Sequence, residues 1–360
     1  FWQSRNGPLV LSVTLTTTHM LAALLQQPAQ PAPPPRSDVP ATVPPPRGAL
    51  RIFAVGDLNL GRAVTWDYLL KGDTLYPFRA VHDTLQAADI LFGNLESPIA
   101  PVGHPYERTG SPVFSAPPVA ADALLRAGFD VVSTANNHAW DAGLTGVFET
   151  VKQLDRVGLP HAGTGRTLVD AHRPAIIERN GWRIAFFAMT RAYNPAPGRF
   201  FTHVGSRYIA YADSAWLYPA IRRIKATRAA DVVVVSVHAG TELAEDPDDR
   251  LRIFFQGAVD AGADLCLGHH PHVLQPVEWY QGKPIVFSMG NFIFKQGAPW
   301  TAYTAIFTFD LAPDGRITAD MIPVRSGFQA RFANRSAADS IWRRVRLVGP
   351  LPIFLFASFP

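Results

Sequence analysis

From Leu50 onward, short apolar runs rich in β-branched residues alternate with longer amphipathic segments, and that alternation leaves few folds open. The runs are Leu50-Val55, Ile90-Phe92, Val131-Thr134, Ile184-Met189, Val232-Val237, Leu265-Leu267 and Ile285-Ser288, and helix-like segments such as Ala120-Ala127, Gly146-Val157, Trp216-Arg228 and Leu251-Ala261 separate them. Alternation of this kind needs crossover connections, so the sequence predicts a largely buried sheet with helices outside. Thr304-Asp310 and Ile317-Val324, joined around Pro313-Asp314-Gly315, then read as a hairpin belonging to a second, more antiparallel sheet. The expected class is α/β, a sandwich in which the second sheet completes the core. With 48% hydrophobic and 17% charged residues in 360, core material is ample.

The polar residues fall at the ends of these runs. Gly56-Asp57-Leu58-Asn59 follows the first, Gly93-Asn94-Leu95-Glu96 the second, and Ala135-Asn136-Asn137-His138 with Asp141 the third. His238-Ala239-Gly240-Thr241-Glu242 follows the fifth and Gly268-His269-His270-Pro271-His272 the sixth. In open α/β sheets, ligands bind where the turns after the strands converge, so five such turns point at one crevice. Within them Asp57 and Asn59, Asn94 and Glu96, and His270 and His272 are each two apart, and residues i and i+2 of an extended segment project to the same side.

Oxygen and imidazole donors without thiolate suit zinc, manganese or iron, and two such ions about 3.5 to 4 Å apart can clamp a phosphoryl or carbonyl oxygen. Each piece also has a plainer explanation. Asp57 can close a turn, Asn136-Asn137 can fill left-handed positions, His238 can be a hydrogen-bonded core histidine, Glu242 can favour a helix N-terminus, and Asp141 can cap the helix near Gly146. His269 can act through its neighbour by orienting it. Their coincidence at strand ends favours the metal.

Composition narrows the choice further. The single cysteine, Cys266, rules out an internal disulfide and a Cys-rich zinc site, and its apolar neighbours point to a core thiol. A formal charge of +4 comes from scattered residues, too diffuse to argue for nucleic acid.

Gly56-Asp57-Leu58-Asn59-Leu60-Gly61-Arg62, Asn94-Leu95-Glu96-Ser97-Pro98, Ala135-Asn136-Asn137-His138-Ala139-Trp140-Asp141 and Gly268-His269-His270-Pro271-His272 through Ser288-Met289-Gly290-Asn291-Phe292 together resemble the CapA family of capsule synthesis proteins. These are associated with poly-gamma-glutamate capsules and are similar to calcineurin-type metallophosphoesterases. The resemblance implies a four-layer α/β/β/α sandwich over residues 49 to 330. It implies that Asp57, Glu96, Asn137, His238, His270 and His272 hold one or two divalent ions, Mn, Zn or Fe. His138 is then the proton donor, with Asp141 orienting it. Asn59, Arg62, Asn94, Glu242, His269 and Asn291 are expected on the substrate side. Asn59 stands where the wider phosphoesterase pattern, Asp-x-His, has histidine.

The implied function is a metal-dependent, phosphoesterase-like step in capsular or cell-surface polymer synthesis or export, on an anionic polymer or a phosphorylated substrate. The alternatives are a non-catalytic polymer-binding scaffold of a membrane synthase and export complex, or a gamma-glutamyl hydrolase. Residues 1 to 25 read as a signal peptide or membrane anchor, and residues 26 to 48 as a Pro-rich linker in extended polyproline conformation. Export to the cell surface or periplasm is expected. Residues 331 to 360 read as a C-terminal extension.

Overall fold

The computed structural model describes residues 47–101, 114–194 and 207–345. The apolar N-terminal segment, nearly all of the Pro-rich stretch and the tail from Leu347 lie outside the described residues. Among the described residues no helix is long and apolar enough to cross a membrane.

Two sheets face each other. The larger contains β1 (Leu50–Leu58), β2 (Ile90–Leu95), β3 (Val131–Ser133), β4 (His161–Ala162), β11 (Asn291–Ile293), β12 (Tyr303–Leu311), β13 (Ile317–Arg325) and β14 (Arg331–Phe332). Its order is β14-β13-β12-β1-β2-β3-β4, with β11 also beside β1. The smaller holds β5 (Ala175–Arg179), β6 (Trp182–Thr190), β7 (Val232–His238), β8 (Leu265–His269), β9 (Val277–Tyr280) and β10 (Lys283–Val286), in the order β5-β6-β7-β8-β10-β9. β1, β2, β3 and β4 run parallel, as do β6, β7, β8 and β10, whereas the expected β12–β13 hairpin is antiparallel.

The period of two along each strand sorts the core into layers. Leu50, Ile52, Ala54, Ile90 and Phe92 from one sheet meet Ile184, Phe186, Val232, Val234, Leu265 and Leu267 from the other. The Phe92 and Phe186 rings stack across the gap with centroids 5.7 Å apart. The alternate residues Phe53, Val55, Leu91 and Val132 point outward to helices α1 (Ala63–Leu70), α2 (Ala120–Ala127) and α3 (Gly143–Val157). On the far side Phe187, Val233, Val235, Cys266 and Ile285 pack on α5 (Ser214–Thr227) and α6 (Asp249–Asp260), while the short α4 (Leu168–His172) adds Ala171. Asp213 and Asp248 cap α5 and α6 by accepting from Ala215 N and Leu251 N. The result is the four-layer α/β/β/α sandwich, and Cys266 is a buried thiol within it.

The domain does not stop at residue 330. β14 pairs with β13, and α7 (Arg335–Val345) sends Ile341 and Val345, both fully buried, into the core between the sheets. Residues 331 to 345 are therefore part of the sandwich, because the apolar stripe of α7 closes an end that the sheets leave open.

Candidate metal centre

The parallel strands of both sheets deliver their polar residues to one edge. Register sets Asp57 opposite Asn94 on one side and opposite Asn291 on the other, and sets His238 opposite His269. β12 leaves β1 after Ala54 and β11 takes its place at Asp57, with Asp57 N donating to Gly290 O at 3.0 Å. That substitution of neighbours needs Gly56, since a Cβ there would sit 1.8 Å from Gly290 O. The loop after β8 turns sharply: His270 and His272 have φ of 97° and 58°, left-handed values that cost a non-glycine residue energy and that cluster at functional sites.

Six donors meet inside this edge, and nearly all are buried. Asn137 Oδ1 lies 2.8 Å and His270 Nδ1 3.2 Å from His238 Nε2, with Glu96 Oε1 at 3.4 Å from the same nitrogen. Glu96 Oε1 is also 3.7 Å from His272 Nε2, while His272 Nδ1 lies 3.3 Å from Asp57 Oδ2. Glu96, His238 and His270 form one group whose ligand atoms converge, and Asp57, Glu96 and His272 form another, so Glu96 belongs to both. Both Glu96 oxygens and Asp57 Oδ2 are buried without a hydrogen-bond partner. Three carboxyl oxygens left unpartnered in a dry pocket are costly unless a cation satisfies them, so the donor set fits a divalent ion.

The electrostatics point the same way. Burial opposes the Asp57 charge, but His269 and His272 outweigh it and hold the carboxyl well below its usual range. Burial, then the neighbouring Asp57 charge, pushes Glu96 well above the usual carboxyl range. Burial and the His270 ring depress His238 strongly; burial and His272 bring His270 down to about 4. At neutral pH both rings are therefore neutral imidazoles, the form that binds metal.

Beside the cluster, His138 Nδ1 donates to Asp141 Oδ2 at 2.7 Å, and Phe114 N donates to the same oxygen at 2.7 Å. The Phe114 ring lies 4.3 Å from the His138 ring. Asp141 is thus spent on the histidine and does not cap α3, whose N-cap, Ala142, has no side-chain bond. Asn136 and Asn137 are not in left-handed conformation; Asn136 Oδ1 accepts from His138 N at 3.1 Å, and its amide donates to Leu95 O at 2.8 Å.

The six residues expected on the substrate side divide. Asn94 is fully buried, its amide donating to Asp57 Oδ1 at 2.9 Å and meeting His238 Nδ1 at 3.1 Å, so it positions two donors. Asn291 holds His272, with Oδ1 2.9 Å from Nδ1, while its amide is shared among His272 O, Gln296 Oε1 and Thr301 O. That leaves no face of Asn291 for a substrate. His269 is buried with Nδ1 3.2 Å from Asp57 Oδ1. Asn59 Oδ1 accepts from Gly61 N at 2.9 Å, and Arg62 stands at the N-cap of α1. Glu242 is exposed, but its carboxylate converges with His270 and His272 in a third group of donors.

Asn194 went unremarked in the sequence. Its Oδ1 accepts from Asn137 Nδ2 at 2.7 Å, which turns Asn137 Oδ1 toward His238. It lies just beyond the end of β6, so the strand-end rule, applied to that strand as well, would have found it. Phe294, 4.9 Å from the His272 ring, carried no such signal.

A family model for the bacterial capsule synthesis protein PGA_cap matches residues 51–296. The PGA biosynthesis protein CapA of Bacillus subtilis (strain 168) is 32% identical over 274 residues, 75% of this chain and 70% of that protein. The capsule biosynthesis protein CapA of Bacillus anthracis is 32% identical over 279 residues, 76% of this chain and 67% of that one. A probable polyglutamine synthesis accessory protein of Mycobacterium tuberculosis (strain CDC 1551 / Oshkosh) is 28% identical over 320 residues, 81% of this chain and 80% of that one. The crystal structure of TT1561 of Thermus thermophilus superposes with a TM-score of 0.39 at 10% identity, covering 76% of this chain and 99% of that one.

Proposed function

Since this chain belongs to the family of bacterial capsule synthesis proteins PGA_cap, we propose that it is an accessory protein of capsular polyglutamate synthesis that works through a metal-dependent, phosphoesterase-like centre. The observation that carries the proposal is the convergence of two buried carboxyl groups with unpartnered oxygens, Asp57 and Glu96, on His272 and on the neutral imidazoles His238 and His270. Asp57, Glu96, Asn137, His238, His270 and His272 would hold one or two divalent ions, Mn, Zn or Fe. When bound, these supply Lewis acidity toward a phosphoryl or carbonyl oxygen and a source of nucleophilic water at neutral pH.

The chain's own residues do the rest. His138 gives a proton to the leaving group from Nε2, because Asp141 fixes Nδ1–H on the opposite side of the ring. Phe114 holds both members, its N–H on the carboxylate and its ring against the imidazole. Asn94 and Asn291 keep His238 and His272 in place. We place this centre outside the cytoplasm, on the strength of the apolar N-terminal segment and the Pro-rich stretch, where the nascent anionic polymer and the synthase and export subunits would be its partners.

The position of Asn59 supports a second reading. Its side-chain oxygen is used within the turn after β1, so one ligand position of the wider phosphoesterase pattern goes unfilled and the centre could grip polymer without cutting it. One experiment separates the two. Purified protein is assayed on phosphate esters and gamma-glutamyl oligomers, with and without chelator, alongside His138→Ala. Metal-dependent turnover that falls by roughly 10²- to 10⁴-fold in His138→Ala at unchanged metal content supports catalysis. Absence of turnover together with full capsule assembly by His138→Ala selects the scaffold.

A further inference from the structure

A second feature lies on the other side of the segment that steadies the metal centre. Phe294 packs against His272, and Gln296 accepts from Asn291, so both turn toward the donors. Lys295, between them, is exposed and lines a hollow of about 450 Å³ together with Arg325 and Arg331. Tyr76, Phe328 and Phe332 supply its aromatic surface, and Phe332 is 49% exposed.

Among the described residues, no carboxylate lines this hollow. Some exposed arginines elsewhere have acidic partners: Arg51 with Asp310, Arg79 with Asp73, Arg156 with Asp122. Three cations gathered without one repel each other, and the arrangement gains stability only when an anion enters. Arg325 also lies over the Tyr303 ring, 5.6 Å from its centroid, and Arg344 of α7 lies 5.9 Å from the same centroid. Tyr303, Arg343 and Arg344 line a neighbouring hollow of about 290 Å³, but Glu245 lines it too and pairs with Arg344 at 2.6 Å, so the carboxylate-free basic surface is that of the first hollow.

We propose that the hollow formed by Lys295, Arg325 and Arg331 is a subsite for an extended polycarboxylate, which it holds by its charges and by its aliphatic stretches while another part of the same chain reaches the metal centre. The cations bind carboxylates, and the aromatic surface takes the carbon segments between them. The polymer's identity rests on the capsule reading; the hollow's preference for a polyanion does not.

The test uses the full chain and Lys295→Gln/Arg331→Gln, both exposed positions, with circular dichroism and metal content as controls on folding. Binding of a long gamma-linked glutamate oligomer, its dimer and polyphosphate is measured by fluorescence anisotropy. The subsite predicts that the parent binds the long oligomer more tightly than the dimer. It predicts that the double variant loses about tenfold in affinity for the long oligomer, two exposed charge contacts being removed, and none for the dimer. Equal binding of the long oligomer by variant and parent overturns the proposal. Parent binding of polyphosphate alone, lost in the variant, keeps the polyanion subsite and removes the capsule polymer as its ligand. Binding of neither polyanion by the parent overturns the subsite itself.

Discussion

Glu96 decides the chemistry at the scale of single residues. Burial and the Asp57 charge beside it raise its carboxyl well above the usual range, so the metal-free chain holds its proton to higher pH than an ordinary carboxyl does. Uptake of a divalent ion competes with that proton and favours its release. Calorimetric titration in buffers of different ionisation enthalpy should report the release, and Glu96→Gln should show neither the release nor comparable metal affinity. His270 gives the metal-free fold its acid sensitivity. Its folded value, about 4, lies below its ordinary 6.5, so its contribution to stability is complete above pH 6.5 and is lost as the pH falls toward 4. The loss is on the order of 3 kcal/mol, with His238 adding in the same direction. Urea midpoints of metal-free protein between pH 7 and 4 should fall accordingly, and more gently in His270→Asn. The i, i+2 spacing made much of this legible, though not always for the reason given. Asn94, in β2, and Glu96, just past its end at Leu95, do both reach His238. Asp57 and Asn59 do not act together, because β1 ends at Leu58 and the next side chain turns onto Gly61 N. His270 and His272 converge through two left-handed residues, not through extended backbone, and no local pattern announces that.

At the scale of elements, the centre depends on β1 exchanging β12 for β11 halfway along. Gly56→Ala forces a Cβ against Gly290 O and must push β11 away, taking Asn291 and its hold on His272 with it. Overpacking of this kind costs about 1–3 kcal/mol, so thermal unfolding of Gly56→Ala should shift downward and its metal content should fall, while the same change at the open Gly297 should do neither. The strands and crossovers were readable because parallel buried strands leave long apolar runs with helical periodicity between them. β4, β11 and β14 were not, being two or three residues long and specified by pairing partners far away in sequence, and neither were β5 and β9, antiparallel edge strands of the smaller sheet with only one buried residue each. α7 was set apart for a related reason: its apolar stripe gains meaning only against the gap between two sheets.

At the scale of the whole molecule, neither sheet owns a complete centre. Asp57, Glu96 and Asn137 come from the eight-stranded side and His238, His270 and His272 from the six-stranded side, so sandwich and centre are formed in one act. The layered core that presses Phe92 on Phe186 is what keeps donors on opposite sheets within a few ångströms. Anomalous diffraction at the Mn, Fe and Zn edges tests this most directly. It should show one or two ions enclosed by Glu96, His238 and His270 and by Asp57, Glu96 and His272, and none in Glu96→Gln. Crystals soaked in these metals that show no ion at those residues, or ions only at other positions, would contradict it.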